Sequence, residues 1–221
     1  MTSVSPRGAI IFAGGMEEER ISRQFSPDEE GTLLEYVLDS VWTVADELIV
    51  VFANEPKLST VEAIAPFGAK LITLSRDQSP LTAILEAFRS SKAEFCLLAT
   101  ERVPFLKPNV TLSLFDNALG YDLAVPRWDD GKVEPLLAVY RKNALLKLVS
   151  TLKPSVEKEV KREMGRIVDQ LFAVKYVSIE KDLKEIDPEL DSFLEVYGEE
   201  SLSVAREKAS IKVKKLQKKA Y

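Results

Sequence analysis

The sequence predicts an α/β fold in three layers, with a mostly parallel sheet between helices. Three observations predict it: apolar runs of strand length recur along the first two thirds of the chain, segments of helical period fall between them, and a glycine pair, Gly14-Gly15, follows the first run. Strands that alternate with helices of about ten residues call for a parallel sheet covered on both faces.

Gly8 to Ala13 reads as a buried strand, and Thr32 to Val44 carries Leu33, Leu34, Val37, Leu38 and Val41 at helical spacing. Leu48 to Ala53 is a second strand, Leu58 to Phe67 a short helix and Lys70 to Leu74 a third strand. Pro80 to Arg89 is a helix opening on a proline, tolerated in a first turn because the N–H there has no helical partner. Glu94 to Thr100 makes the fourth strand and Pro108 to Ala118 the next helix. Tyr121 to Pro126 and Leu136 to Arg141 are strand candidates, with Asp129-Asp130-Gly131 between them a hairpin signal.

The last third changes character. Ala144 to Leu152 and Val156 to Leu171 have helical period, Val174 to Ile179 reads as a strand, and an acidic stretch runs to Leu202. Residues Ser203 to Tyr221 then hold seven Lys and Arg against Glu207 alone, so a chain of net charge −5 is +6 here and −11 elsewhere. We expect one α/β domain over 1–202 and a basic C-terminal helix over 203–221, packed on the domain or extending from it. An apolar stripe of Val204, Ile211 and Leu216 would do the packing, while a protein partner or anionic surface is the second reading of its charge.

With 221 residues the chain is long enough for one generous core. No apolar run approaches the roughly 20 residues that span a bilayer, and Met1 to Arg7 lacks a secretory pattern, so we expect a cytoplasmic protein without membrane or nucleic-acid partners. Cys96, alone and inside an apolar run, reads as a buried inert thiol. Histidine is absent, which removes the usual general base and the commonest metal ligand. Carboxylates, Lys, Arg, hydroxyls and backbone N–H groups remain, a set suited to phosphate chemistry with a hard cation such as Mg²⁺.

The turn Ala13-Gly14-Gly15 stands where an α/β sheet brings phosphates to backbone N–H groups, although a plain tight turn is equally compatible with it. The following loop carries Glu17, Glu18, Glu19, Asp28, Glu29 and Glu30 against Arg20 and Arg23, a charge balance that opposes a triphosphate unless Mg²⁺ bridges. Glu101, at the carboxyl end of the fourth strand, suits Mg²⁺ or else a salt bridge with Arg102. Arg127 and Glu134 bracket the Asp-Gly turn near the same edge, and Trp128 is placed to pack or stack.

Together these segments resemble the molybdenum cofactor guanylyltransferase family (molybdopterin-guanine dinucleotide biosynthesis protein A). The resemblance rests on Ala9 to Gly15 (AIIFAGG), Leu33 to Leu38 (LLEYVL), Ser79 to Ile84 (SPLTAI), Pro104 to Leu106 (PFL), Val125 to Arg141 (VPRWDDGKVEPLLAVYR) and Phe193 to Leu202 (FLEVYGEESL). It implies a glycosyltransferase-A-like nucleotidyltransferase fold and Mg²⁺-dependent transfer of GMP from GTP to molybdopterin. By the same resemblance Ala13, Gly14, Gly15, Pro80 and Leu81 would bind the nucleotide, Arg20 and Arg23 its phosphates, Glu101 the metal, and Arg127 and Glu134 the acceptor. Departures fall on the catalytic positions: Glu19 and Gln24 stand where the family has Arg and Lys, Glu101 or Arg102 where it has its metal aspartate, and Glu195 and Tyr197 where it has two asparagines. They leave open a catalytically degraded scaffold or regulatory partner, and a nucleotidyltransferase with another phosphorylated acceptor.

Overall fold

The computed structural model describes residues 6–14, 25, 31–75, 78–152 and 159–219, with side chains to residue 210. Its strands are β1 (Arg7–Ala13), β2 (Glu47–Phe52), β3 (Lys70–Thr73), β4 (Phe95–Thr100), β5 (Leu123–Arg127), β6 (Ala138–Arg141) and β7 (Val174–Ser178). Between and after them run helices α1 (Leu33–Trp42), α2 (Leu58–Ile64), α3 (Pro80–Ser90), α4 (Pro108–Ala118), α5 (Lys142–Thr151), α6 (Val160–Val168) and α7 (Glu199–Lys219). The strands form one seven-stranded sheet in the order β3-β2-β1-β4-β6-β5-β7.

Every pairing is parallel except those of β6, which runs against both β4 and β5. The Asp129-Asp130-Gly131 turn begins that reversal: Gly131 N–H donates to Trp128 O at 2.9 Å, Trp128 N–H donates to Lys132 O at 2.8 Å, and Gly131 takes the positive φ of 90° that glycine tolerates. From β1 the chain winds outward to β3, then returns to lay β4 on the other side of β1. The β1/β4 boundary is therefore the topological switch point, where open α/β sheets leave a crevice at their carboxyl edge.

Strand β1 is covered on both faces. Ala9, Ile11 and Ala13 join a core with Val37, Leu38 and Leu114 under α1 and α4, while Ile10 joins Ile84, Phe88, Tyr140 and Met164 on the opposite side. The two-residue alternation of a strand divides them this way, and burial on both sides explains a run that reads as wholly apolar. Helix α1 starts on a capping box, with Glu35 N–H donating to Thr32 Oγ1 and Thr32 N–H to Glu35 Oε2. Cys96 is fully buried, and burial pushes its thiol up to about 11, so it stays protonated and inert.

The C-terminal helix packs through Leu202, Ala205 and Ala209, which meet Phe25, Leu33, Phe105 and Val196 in a third apolar cluster. Val204 is 43% exposed, which corrects its place in the expected stripe, two residues beyond Leu202 being about 200° around a helix; the side chains of Ile211 and Leu216 lie outside the described ones. A charged network fastens the same helix. The wholly buried Asp187 accepts from Lys107 Nζ and, at 2.8 Å, from the Ser192 N–H, while Lys208 of α7 reaches Asp191. Burial alone would raise the Asp187 carboxyl, but the bonds from Lys107 and Ser192 outweigh it and hold the group below its ordinary value.

Candidate active site

The crevice at the switch point is a cavity of about 570 Å³, within the range of small-molecule sites. Its back wall is the end of the sheet. Glu101 N–H donates to Phe12 O at 3.2 Å, continuing the β1–β4 pairing one step past Thr100, and this carries the Glu101 side chain over the first turn. There Glu101 Oε1 accepts from the Gly14 N–H at 2.8 Å. The residue is only 6% exposed, so an anionic oxygen already rests on the amide expected to receive one. Arg102 lines the same cavity, and its carbonyl accepts the Val196 N–H at 2.7 Å, tying the C-terminal loop to the end of β4.

Across the cavity, Glu134 sits just before β6 with its backbone N–H on Pro126 O at 3.0 Å. Its carboxylate accepts from Trp128 Nε1 at 2.9 Å and pairs with Lys161 Nζ at 2.8 Å and Lys132 Nζ at 3.3 Å. Lys161 also bonds Glu195. Burial would raise the Glu134 carboxyl, yet hydrogen bonds from Lys161 and Trp128 outweigh it and hold the group below its ordinary value. Burial likewise would lower the Lys161 ammonium, and the bonds to Glu134 and Glu195 hold it above. Both groups are thus charged at neutral pH.

Of the nucleotide positions taken from the sequence, Gly14 and Pro80 line this cavity, while Ala13 stands behind it, 2% exposed, with its carbonyl accepting the Ala53 N–H at 2.9 Å. Leu81 does not: it lines a separate cavity on the far side of α3, because consecutive residues of a helix point about 100° apart. Arg127 is also elsewhere. It lies over the Tyr176 ring with its guanidinium carbon 4.5 Å from the centroid, beside a smaller hollow shared with Asp129 and Lys181, because it leaves β5 toward the β7 side. Gly15, Arg20 and Arg23 lie outside the described residues, as do Glu17, Glu18, Glu19 and Gln24.

Lys161 was not legible as a site residue. It stands in a mixed-charge helix, and the one signal for it is its place beside Val160 at the start of the buried stripe Val160, Met164, Ile167 and Val168. Glu195 and Tyr197, at the family's two asparagine positions, do line the cavity. Glu101, Glu134, Glu159 and Glu195 face Arg102 and Lys161 there, a net negative lining among the described residues. No group of three or more acidic or cysteine side chains among the described residues is already gathered around a metal position. No helix among them is long and apolar enough to cross a membrane.

A mostly parallel sheet with a carboxylate and a glycine amide meeting at its switch point places the chain among the open α/β proteins that bind ligands at the carboxyl edge of the sheet. More particularly, the chain belongs to the family of the MobA-like NTP transferase domain, whose model matches residues 9–170. A protein of Methanosarcina mazei named "probable molybdenum cofactor guanylyltransferase" is 29% identical over 205 residues, covering 89% of this chain and 88% of the relative. Among solved structures, molybdopterin-guanine dinucleotide biosynthesis protein A from Archaeoglobus fulgidus superposes with a TM-score of 0.65 at 24% identity, over 92% of this chain and 98% of that one. The 4-diphosphocytidyl-2C-methyl-D-erythritol synthase of Anaerococcus prevotii gives 0.66 at 15% identity, over 93% and 96%, a likeness of fold.

Proposed function

We propose that this cleft transfers GMP from GTP to molybdopterin in the presence of Mg²⁺. One observation carries the reading: Glu101 and the Gly14 amide meet at 2.8 Å, so a metal-suited carboxylate and an anion-binding N–H occupy one point at the switch of the sheet. The names of the relatives support guanine as the base and molybdopterin as the acceptor.

The charge of the lining supports a metal. Each unpaired carboxylate at 4 Å repels a phosphate charge by about 1 kcal/mol even in water, and this lining has more carboxylates than cations. Mg²⁺ takes one or two protein carboxylates and leaves its other positions to phosphate and water, so the residues present fit it, with Glu101 the one that would hold it. When bound, the ion would neutralise phosphate oxygens.

The chain's own groups do the rest. The Gly14 N–H, given up by Glu101, donates to a phosphate oxygen, and Arg102 and Lys161 add positive charge as pyrophosphate departs. An oxygen of the acceptor phosphate attacks the α-phosphorus, that P–O bond forms, and the α–β bridging bond breaks with its electron pair going to pyrophosphate. A phosphate monoester with its second pKa near 6 is already anionic at neutral pH, so a chain without histidine needs no general base. Glu134, fixed by Trp128 and Lys161, bounds the acceptor side.

Pyrophosphate release from GTP, Mg²⁺ and molybdopterin tests the reading, with Glu101→Ala as control. Release that depends on Glu101 supports it, and silence at saturating GTP refutes it. One observation favours the scaffold reading instead: Lys161 is compensated by two carboxylates. On that reading GTP with Mg²⁺ gives no thermal stabilisation, whereas a ligand at 100 times its Kd adds about 2.7 kcal/mol.

A further inference from the structure

Helices α3, α5 and α6 border a second, open cavity of about 430 Å³ on the other side of the α3 N-terminus from the cleft. Its walls are mainly apolar, with Leu81, Leu85, Leu152 and Ile167 among them, and Glu163 lines it as well. Glu163 is 5% exposed, yet no hydrogen bond or ion pair reaches its side chain among the described residues. With no such partner and its residue nearly enclosed, the carboxylate is left open to a donor that enters the cavity. Its position in the first turn of α6 favours negative charge there but supplies no such donor. Arg166, one turn along, is exposed at the rim of the same cavity, where solvent screens its charge.

We infer that this cavity is a binding site for a small molecule with an apolar body and a primary ammonium head, the ammonium docking on Glu163. The volume lies within the usual range for small-molecule sites, and a few polar groups among largely apolar walls, here Glu163 with Arg166 at the rim, are the composition such sites use to fix orientation. The hydroxyls of Ser79 and Thr82, which hydrogen-bond each other at 2.9 Å, supply further polar contacts at the α3 end. Because Pro80 lines the cleft while Ser79 and Thr82 line this cavity, an occupant would share the first turn of α3 with the nucleotide site. The inference does not depend on which nucleotide, or whether any, enters the cleft.

The test is a methyl and amide NMR titration of the full chain with benzylamine, with benzyl alcohol as its neutral counterpart. Benzylamine is expected to shift the signals of Leu81, Leu85 and Ile167 saturably in the millimolar range, at least about fivefold more tightly than the alcohol, because an ionised pair strengthens the hydrogen bond. In Glu163→Gln that preference disappears while binding of the alcohol persists. Equal affinity for the two probes in the unmodified chain refutes the inference without recourse to any variant. So does an absence of saturable shifts up to about 20 mM, a bound at which even weak fragment binding registers, or a preference that survives in Glu163→Gln.

Discussion

Replacing Lys161 with methionine tests how the cleft is held. The ammonium bonds Glu134 at 2.8 Å and also Glu195, and the side chains of Glu134, Lys161 and Glu195 are 9%, 29% and 33% exposed. Removing one partner of a buried pair costs about 3–5 kcal/mol, and an exposed pair is worth at most about 1 kcal/mol. With Glu134 buried and the other two partly wet, Lys161→Met is expected to cost about 2–3 kcal/mol. Glu134→Gln should cost about 1 kcal/mol, because its Oε1 can still accept from Trp128. The double variant has neither charge and should cost no more than about 1 kcal/mol, giving a coupling of at least about 2–3 kcal/mol. Urea unfolding at neutral pH measures all three. The sign with pH follows from the shifts: Glu134, held low, contributes fully above its unfolded value near 4.3 and loses its contribution as pH falls through its lower folded value. Lys161, held high, contributes fully below roughly 10.4 and loses its contribution as pH rises through its folded value. Without Lys161, burial raises the Glu134 carboxyl, so the stability gap between native and Lys161→Met chains is greatest near neutral pH and closes in acid, starting as pH falls through the variant's raised value. Strict additivity, or a cost under about 0.5 kcal/mol for Lys161→Met, refutes the reasoning.

Thr111 Oγ1 is buried without a hydrogen-bond partner among the described residues, so Thr111→Val should be neutral or stabilising by up to about 1 kcal/mol in thermal unfolding. Cys96 should resist an aromatic disulfide reagent in the native chain and react at once in denaturant, read by thiolate absorbance. Arg127→Ala should leave nucleotidyl transfer within about twofold and cost only the 0.5–1 kcal/mol of its contact with Tyr176, read by steady-state rates beside a melting curve. Glu101→Ala should bind GTP more tightly than the native chain in chelator, by about 1 kcal/mol, yet transfer poorly with Mg²⁺; calorimetry and pyrophosphate assays separate the two effects.

Much of the fold was legible because burial on two faces leaves a plain mark. Strands β1, β2 and β4 are apolar at nearly every position, as strands in the middle of a parallel sheet covered on both faces are. The Asp-Gly turn announced a reversal, and β6 does run antiparallel, although it begins at Ala138 rather than Leu136. The site was legible only where it depends on the order of elements. Gly14 and Glu101 end adjacent strands, so counting strands brings them together. What depends on the phase of a single residue was lost: Leu81 and Arg127 are each at the expected edge and face another way. Lys161 was lost for the converse reason, since partners from two distant loops, Glu134 and Glu195, give it its place.

The contact between Glu101 and Gly14 changes what the altered motif means. An acidic residue at a phosphate-binding turn reads from sequence as an obstacle, one more negative charge in a negative field. In the folded chain that carboxylate accepts from the amide a phosphate would use, so on the proposed reading a bare anion would have to displace it. A divalent cation reverses the balance at both ends at once: it gives the carboxylate a stronger partner than an N–H and frees the N–H for an oxygen that arrives with the metal. On the proposed reading a metal–nucleotide complex exchanges with an internal contact of comparable kind, and metal-free nucleotide must break that contact with nothing to offer Glu101. On that reading the same geometry would make the cleft selective for the metal complex over the free nucleotide, a property that neither the glycine pair nor the glutamate carries alone.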